Sequence, residues 1–145
     1  MPEFVLRAAT LADIEFVFRV RNDPVTREAS RTTDAVPWET HEQWFNSIIA
    51  RPDRRLLIGE AAGASVSAIR FDNLQHGVEA NWMVAPEARR CGYGFLTICE
   101  GIKMEHRRPI VADIKPSNRS SVAVALRAGF VPAGGAGGLL RFALS

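Results

Sequence analysis

The stretch that most constrains this chain runs from Val78 to Thr97, VEANWMVAPEARRCGYGFLT. An apolar run ending at Val84 is followed by a proline and then by a loop in which Arg89, Arg90, Gly92 and Gly94 lead straight into an apolar helical segment. Gly92 and Gly94 let the backbone turn tightly and come close to a ligand. A helix starting beside them points its unpaired N–H groups and positive dipole end into the turn. Such a turn is built to hold an anion. The planar forks of Arg89 and Arg90 match phosphate oxygens in bidentate pairs, which favours a diphosphate over a lone carboxylate. The plain alternative is a tight strand-to-helix connection, which also uses G-x-G. A dinucleotide fingerprint would need a third glycine where Thr97 stands, and a P-loop would need Gly-Lys-Ser/Thr, which does not occur.

At 145 residues and 47% hydrophobic content the chain is long enough for one domain with a proper core, read here as residues 1–145. Of its 18 basic residues only Lys103 and Lys115 are lysines, which fits anionic ligands or a coding bias of the source genome. Basic residues do not cluster with interleaved aromatics, so nucleic acid is not an expected partner. The start, MPEFVLRAATLAD, lacks a basic region followed by an apolar one, and no apolar run is long enough to span a bilayer. A soluble, cytoplasmic protein with no membrane partner is expected. Cys91, Cys99, His41, His76 and His106 lack metal-ligand spacing, so no metal is expected.

The chain alternates strand and helix signals. Phe4 to Arg7 reads as a strand, and Thr10-Leu-Ala-Asp13 as a variant capping box whose Thr10 hydroxyl can accept from an early helical N–H. Ile14, Val17, Phe18 and Arg21 mark one helical face, stopped by Asn22-Asp23-Pro24; Val25 to Pro37 reads as irregular. A helix from Trp38 carries Trp44, Phe45, Ile48 and Ile49 on its apolar side and ends at Pro52. Strands follow at Arg55 to Glu60, Val66 to Asp72 and Val78 to Val84, joined by turns at Ala61 to Gly63 and Asn73 to Gly77. After the anion loop the spacing predicts a helix from Phe95 to about His106, with Phe95, Ile98, Cys99 and Ile102 toward the core. Ile110 to Lys115 is a further strand. Ser117 or Asn118 caps a short helix with Val122, Ala125 and Leu126, ended by Gly129, and VPAGGAGGLLRFALS reads as two strands around a glycine-rich turn.

The order β-α-α-β-β-β-α-β-α-β-β describes an α/β (α+β) mixed sheet of about seven strands flanked by about four helices. This order, the R-x-x-G-x-G loop after Val84, and NRSSVAVALRAGF from Asn118 to Phe130 together resemble the GNAT superfamily of N-acetyltransferases over nearly the whole chain. The resemblance implies an acyltransferase that carries acetyl from acetyl-CoA to a primary amine. It implies that the loop residues Arg89, Arg90, Cys91, Gly92, Tyr93 and Gly94 hold the pyrophosphate. In that fold the strands Val78 to Val84 and Ile110 to Lys115 are splayed parallel neighbours, so backbone groups of Met83 and Val84 would hold the pantetheine arm and Asn118 would contact it. The same N–H groups are candidates to stabilise an oxyanion. Glu79 matches the position of an acidic residue that takes a proton from the amine, the alternative being a surface charge at the strand edge.

The chain departs from the family at Ala125, where many members carry a tyrosine that protonates the departing thiolate. Water, Ser120 or Ser121 supplies that proton, or the thiolate leaves unassisted. The run Arg19-Val-Arg21-Asn22-Asp23-Pro24, Ser30 and His41-Glu-Gln-Trp44-Phe45 resemble bacterial acetyltransferases of nucleotide-linked 4-amino sugars, the pseudaminic acid type. On that resemblance Arg21, Asn22 and His41 are candidate substrate contacts, set against readings as a solvated helix end and core. Ribosomal-protein N-terminal acetyltransferases share the pattern loosely. A third reading is a non-catalytic acyl-CoA sensor, supported by Ala125 alone. The glycine-rich tail either closes a monomer's pocket or sits at a homodimer interface.

Overall fold

The computed structural model describes residues 3–145. Met1 and Pro2, the start of the segment read above for a leader, lie outside the described residues. Seven strands form one sheet: β1 (Phe4–Ala8), β2 (Arg55–Ala61), β3 (Ala64–Asn73), β4 (Val78–Val84), β5 (Ile110–Ile114), β6 (Val131–Ala136) and β7 (Leu139–Leu144), in the order β1-β2-β3-β4-β5-β7-β6. Every neighbouring pair is antiparallel except β4 and β5. The expected mixed sheet is present.

Five α-helices flank it: α1 (Ile14–Arg21), α2 (Pro24–Ala29), α3 (Trp38–Ala50), α4 (Tyr93–Met104) and α5 (Arg119–Arg127). Four were expected. The fifth, α2, lies within the stretch read as irregular, because it buries no residue and so has no apolar period to read. A cap makes it instead. Asp23 Oδ2 accepts from the N–H groups of Val25 (3.1 Å) and Thr26 (3.3 Å), and Pro24 stands at the first helical position.

Strand alternation divides the core between the two faces of the sheet. Leu57, Ile69, Phe71, Val78, Ala80, Ile110 and Ala112 join Ile98 of α4 and Ala125 of α5 in one cluster. Leu56, Ile58 and Ala68 meet Val17 of α1 and Phe45 and Ile48 of α3 on the other. The β2–β3 turn places Ala62 (φ 53°) and Gly63 (φ 79°) in left-handed conformations, as a two-residue hairpin requires. At the start of α1 the buried Asp13 carboxylate takes the Thr10 N–H at 2.8 Å and both arms of the Arg7 guanidinium at 2.8 Å. Arg7 first, and then Thr10, hold its carboxyl below the usual range despite burial.

On helix α4 the expected Ile98 lies in the core and Ile102 packs against it, and Thr97 and Gly101 are buried as well, whereas Phe95 is covered by the Arg127 guanidinium 4.0 Å from its ring centre. Small residues decide this. A Cβ on Gly101 would lie 3.1 Å from Ile69 Cδ1 and 3.2 Å from Phe71 Cζ, so α4 comes down on β3 at a glycine. Thr97 stands beside it, its hydroxyl donating to Tyr93 O (2.6 Å) and receiving the Ser67 hydroxyl proton (2.6 Å) from β3. Helix α5 closes with the Gly129 N–H on Leu126 O (3.1 Å) and the Phe130 N–H on Ala125 O (3.0 Å), while Ala125 and Phe130 pack in one cluster. That reciprocal pair explains why the helix ends in A-G-F.

Candidate active site

Strands β4 and β5 pair only at Val78↔Ile110 and Glu79↔Val111, after which they part. Beyond Glu79 no strand pairs with the outer side of β4 among the described residues. The Val78 N–H donates to Pro109 O on the β5 side (3.0 Å), and the Ala85 N–H to Val66 O on the β3 side (2.8 Å). Peptide groups alternate along a strand, so Trp82 and Val84 turn their N–H and C=O groups into the gap, whereas Met83 pairs with Ala68. Of the two residues expected to hold an arm there, Val84 faces the gap with its backbone. Met83 spends its backbone on β3 and its side chain on the α1 and α3 face.

At the far end of the gap the loop turns as its glycines require. Arg90 (φ 64°) and Gly92 (φ 82°) are both left-handed and flank Cys91, and Gly92 is the cap of α4. Alternation of this kind converges backbone N–H groups into a concavity that suits an anion, at the positive end of a 12-residue helix. The arginines divide the work. Arg89 Nη2 donates to Asp23 Oδ2 (2.8 Å) and Thr26 Oγ1 (3.0 Å), clamping the loop to the start of α2. Arg90 is exposed and has no polar partner among the described residues. The exposed Cys91 thiol donates to Arg89 O at 3.4 Å, and Tyr93 stacks on Phe4 at 6.1 Å. Gly94 has a separate significance: a Cβ there would meet only Val84 and Val124 methyls at 3.7 and 3.8 Å, ordinary contact distances. Nothing in the chain's own packing demands a glycine at this position.

Glu79, Asn81 and Met83 project from β4 toward α1 and α3. Glu79 is 8% exposed, and its Oε2 accepts from Arg31 Nη2 at 2.8 Å. The same nitrogen reaches Asp113 Oδ2 on β5 at 2.9 Å, and Asp113 also takes Arg141 of β7 in two bonds of 2.8 and 2.9 Å. Arg141 foremost, with help from Arg31, holds the Asp113 carboxyl below the usual range against its burial. Glu79 Oε1 takes no hydrogen bond from the described residues. Asn81, opposite Arg70 of β3, has a buried Nδ2 with no partner among the described residues. Sequence reasoning passed over Asn81, Asp113 and Arg31. Asparagine and aspartate inside apolar strand runs were the available signal for the first two, because strands disfavour both; Arg31 left none.

The residues singled out on α1 and α3 do come together. His41 is fully buried, with Nε2 2.9 Å from Ile14 O and Nδ1 2.9 Å from Arg21 Nη1. A carbonyl can only accept and a guanidinium only donate, so the ring is neutral with its proton on Nε2. The Arg21 guanidinium carbon sits over the Trp44 ring, 4.3 Å from its centre, Arg70 approaches the same ring at 5.6 Å, and Arg21 has no carboxylate partner among the described residues. Burial first, and the Arg70 charge second, lower the Arg21 pKa from its usual value. Asn22 braces the segment ahead of α3, donating from Nδ2 to Val36 O (3.0 Å) and accepting the Val36 N–H (2.7 Å).

Asn118 caps α5, its Oδ1 accepting from the Ser121 N–H (3.3 Å) and the Ser120 hydroxyl (3.3 Å). Its Nδ2 has no partner among the described residues. Ala125 is fully buried, so the position that many GNAT members give to a tyrosine belongs here to the core.

The fold of this chain recurs in solved structures. Spermidine N-acetyltransferase from Vibrio cholerae in complex with CoA and spermine superposes with a TM-score of 0.83 at 17% identity, over 97% of this chain and 92% of that one. Ribosomal-protein-alanine N-acetyltransferase from Brucella melitensis gives 0.84 at 24% identity, over 97% and 98%. A domain from Methanocaldococcus jannaschii gives 0.86 at 17% identity over 99% of both chains. No curated protein matches the sequence. At these identities the likenesses establish the fold, and the family follows from the sequence itself: the acetyltransferase (GNAT) domain model matches residues 3–131, so this chain belongs to the GNAT family of acetyltransferases.

Proposed function

We propose that residues 1–145 form a single cytoplasmic acetyl-CoA-dependent N-acetyltransferase domain whose acceptor is a primary amine on a small anionic molecule of the nucleotide-linked amino-sugar class. The observation that carries the cofactor is Gly94, a glycine that the fold's own contacts leave optional, at the mouth of the anion turn. The turn's N–H groups and the unpartnered Arg90 would hold the pyrophosphate, the gap-facing backbone of Val84 the arm, and Asn118 Nδ2 a carbonyl of it. Acetyl-CoA, when bound, would supply a thioester whose C–S bond would break as the acceptor nitrogen forms the C–N bond, releasing the CoA thiolate, and Glu79 would take up the nitrogen's proton. Glu79 suits that task because it is largely buried beside the gap and its Oε1 is open. The Val84 N–H would donate to the acetyl oxygen. On the acceptor side, Arg21 over the Trp44 ring, with no carboxylate partner among the described residues, favours an anion and a ring.

Substituting Gly94 by alanine separates fold from ligand. Stability should hold or rise, because alanine is the better helix former and meets only ordinary contacts, while acetyl-CoA binding should weaken about 10- to 100-fold, the loss of one or two charge-assisted hydrogen bonds. Thermal unfolding and calorimetric titration check the two halves independently.

The reading as a whole is tested by melting temperature with acetyl-CoA, NADH and ATP in parallel. At about a hundred times its dissociation constant a ligand adds roughly 2.7 kcal/mol, several degrees in a domain of this size. A rise with acetyl-CoA alone is expected. Thiol release is then compared for a nucleotide-linked amino sugar, an alanine-starting peptide and spermidine. Turnover of the sugar is the expected result; turnover of the peptide alone assigns a protein N-terminal acetyltransferase, and binding without turnover of any amine assigns a sensor.

A further inference from the structure

Glu79 already has a cation on it. Among the described residues Arg31 is the one cation bonded to Glu79, with Nη2 at 2.8 Å from Oε2, and its side chain is 55% exposed. The other carboxylate it touches does not depend on it, since Asp113 keeps both bonds from Arg141 when Arg31 is elsewhere. Arg31 is therefore spare for Asp113 and sole for Glu79. It also arrives from outside the sheet, on the segment after α2, and bonds one carboxylate on β4 and one on β5. That segment is held by its own bonds: Lys115 Nζ donates to Glu28 O (2.8 Å), Arg27 Nε to Thr33 O (3.1 Å), and Asn22 pairs with Val36. The guanidinium can leave Glu79 without moving the backbone that carries it.

An amine reaching Glu79 from solution does so as an ammonium, a positively charged N–H donor of the kind Arg31 already presents. The two compete for one carboxylate. Charge sharpens the competition, because Glu79, Asp113, Arg31 and Arg141 sum to zero and an arriving ammonium leaves the group one positive charge in excess. That excess is relieved when Arg31 swings out into solvent, and the amine that attacks is the neutral form left once the ammonium has released a proton to water.

We propose that Arg31 is a specificity-determining residue of the acceptor site: its guanidinium occupies the place of the acceptor's ammonium at Glu79, and an amine is accepted by displacing it. This rests on the reading of Glu79 as the proton acceptor. An ion pair with one partner this exposed is weak, so the barrier it sets is modest and falls on the Michaelis constant of the amine.

The test uses n-propylamine, a bare primary amine, with saturating acetyl-CoA and thiol release as the readout, in the parent protein, Arg31→Ala and Arg31→Lys. In Arg31→Ala the KM for propylamine should fall about three- to tenfold, with kcat within about twofold and the KM for acetyl-CoA unchanged. Arg31→Lys should restore the parent KM. Methylguanidinium, the head group of the missing side chain, should compete with propylamine in Arg31→Ala and leave the parent untouched, an effect that a merely structural role for Arg31 would not produce. An unchanged or higher amine KM in Arg31→Ala, no turnover of propylamine by that variant, or equal action of methylguanidinium on both proteins would overturn the proposal. The double variant Arg31→Ala/Glu79→Gln keeps the two readings apart: if it turns over as fast as Arg31→Ala, Glu79 is not the base, whereas the KM comparison decides Arg31.

Discussion

Exchanging Glu79 for glutamine is expected to lower kcat about 10²- to 10⁴-fold, the usual contribution of a positioned general base, and to leave acetyl-CoA affinity unchanged. Glutamine preserves the shape of the side chain and still offers an oxygen to Arg31, so the 2.8 Å hydrogen bond can re-form. What it loses is the capacity to take a proton. The ion pair it replaces has an exposed partner, so its removal should move the melting temperature by no more than about 4 °C. Thiol release at saturating substrates and a calorimetric titration with acetyl-CoA provide the two numbers. Undiminished turnover with intact binding would assign the proton to water or to another group.

His41→Ala should cost the fold about 2–4 kcal/mol, roughly 10 °C in melting temperature, for reasons that add. The ring fills the space between Phe18, Trp38, Trp44 and Phe45, whose centroids lie 5.1 to 5.9 Å away, so its removal leaves a cavity. It also strips Ile14 O of a donor and Arg21 Nη1 of an acceptor in a buried setting. The same arrangement makes stability depend on pH. Burial is the first cause of the lowered His41 pKa, opposed by the bond to Ile14 O and reinforced by Arg21. The folded value therefore lies below that of the unfolded chain, and the stability this confers is complete above about pH 6.5 and lost as the pH falls through and below that value. Denaturant unfolding at about pH 8 and about pH 5, in the parent and in His41→Phe, should show a loss on acidification that shrinks in the variant. An equal loss in both would place the titrating group elsewhere.

His41 also shows how an expectation from pattern divides. Its place on α3, four residues before Phe45 and seven before Ile48, puts it on the buried stripe, and the structure buries it fully. The pattern contained no sign of Arg21, twenty residues earlier, as its partner. Arg89 is parallel. The loop's glycines announced a turn for an anion, yet the first arginine of that loop is spent on Asp23, 66 residues away, and on Thr26, which leaves Arg90 without a polar partner among the described residues. The short helix α2, read as irregular, follows from the same Asp23. One carboxylate caps the helix and receives Arg89, and neither bond has a periodic signature. The burial of Thr97 and Gly101 on α4, beside the expected Ile98, was equally hidden, because periodicity marks apolar residues and the closest approach to a sheet is made where side chains are small.

By itself the sequence determined what depends on neighbours along the chain. Glycine at 92 permits a left-handed cap, prolines interrupt hydrogen-bond ladders, alternating apolar residues in β2 must face opposite sides, and Ala-Gly-Phe closes a helix on itself. These are short-range steric and hydrogen-bonding constraints, and they sufficed to order the strands and helices and to place the anion turn. The tertiary structure alone decided which charges meet. Arg31 reaches Glu79 across 48 residues and Asp113 across 82 because strand register, which pairs Glu79 with Val111, puts Asp113 two residues further along the same face of β5, and the α2–α3 segment brings one guanidinium to both. A charge selects its partner by distance in space, and that distance exists only once β4 and β5 have been laid parallel.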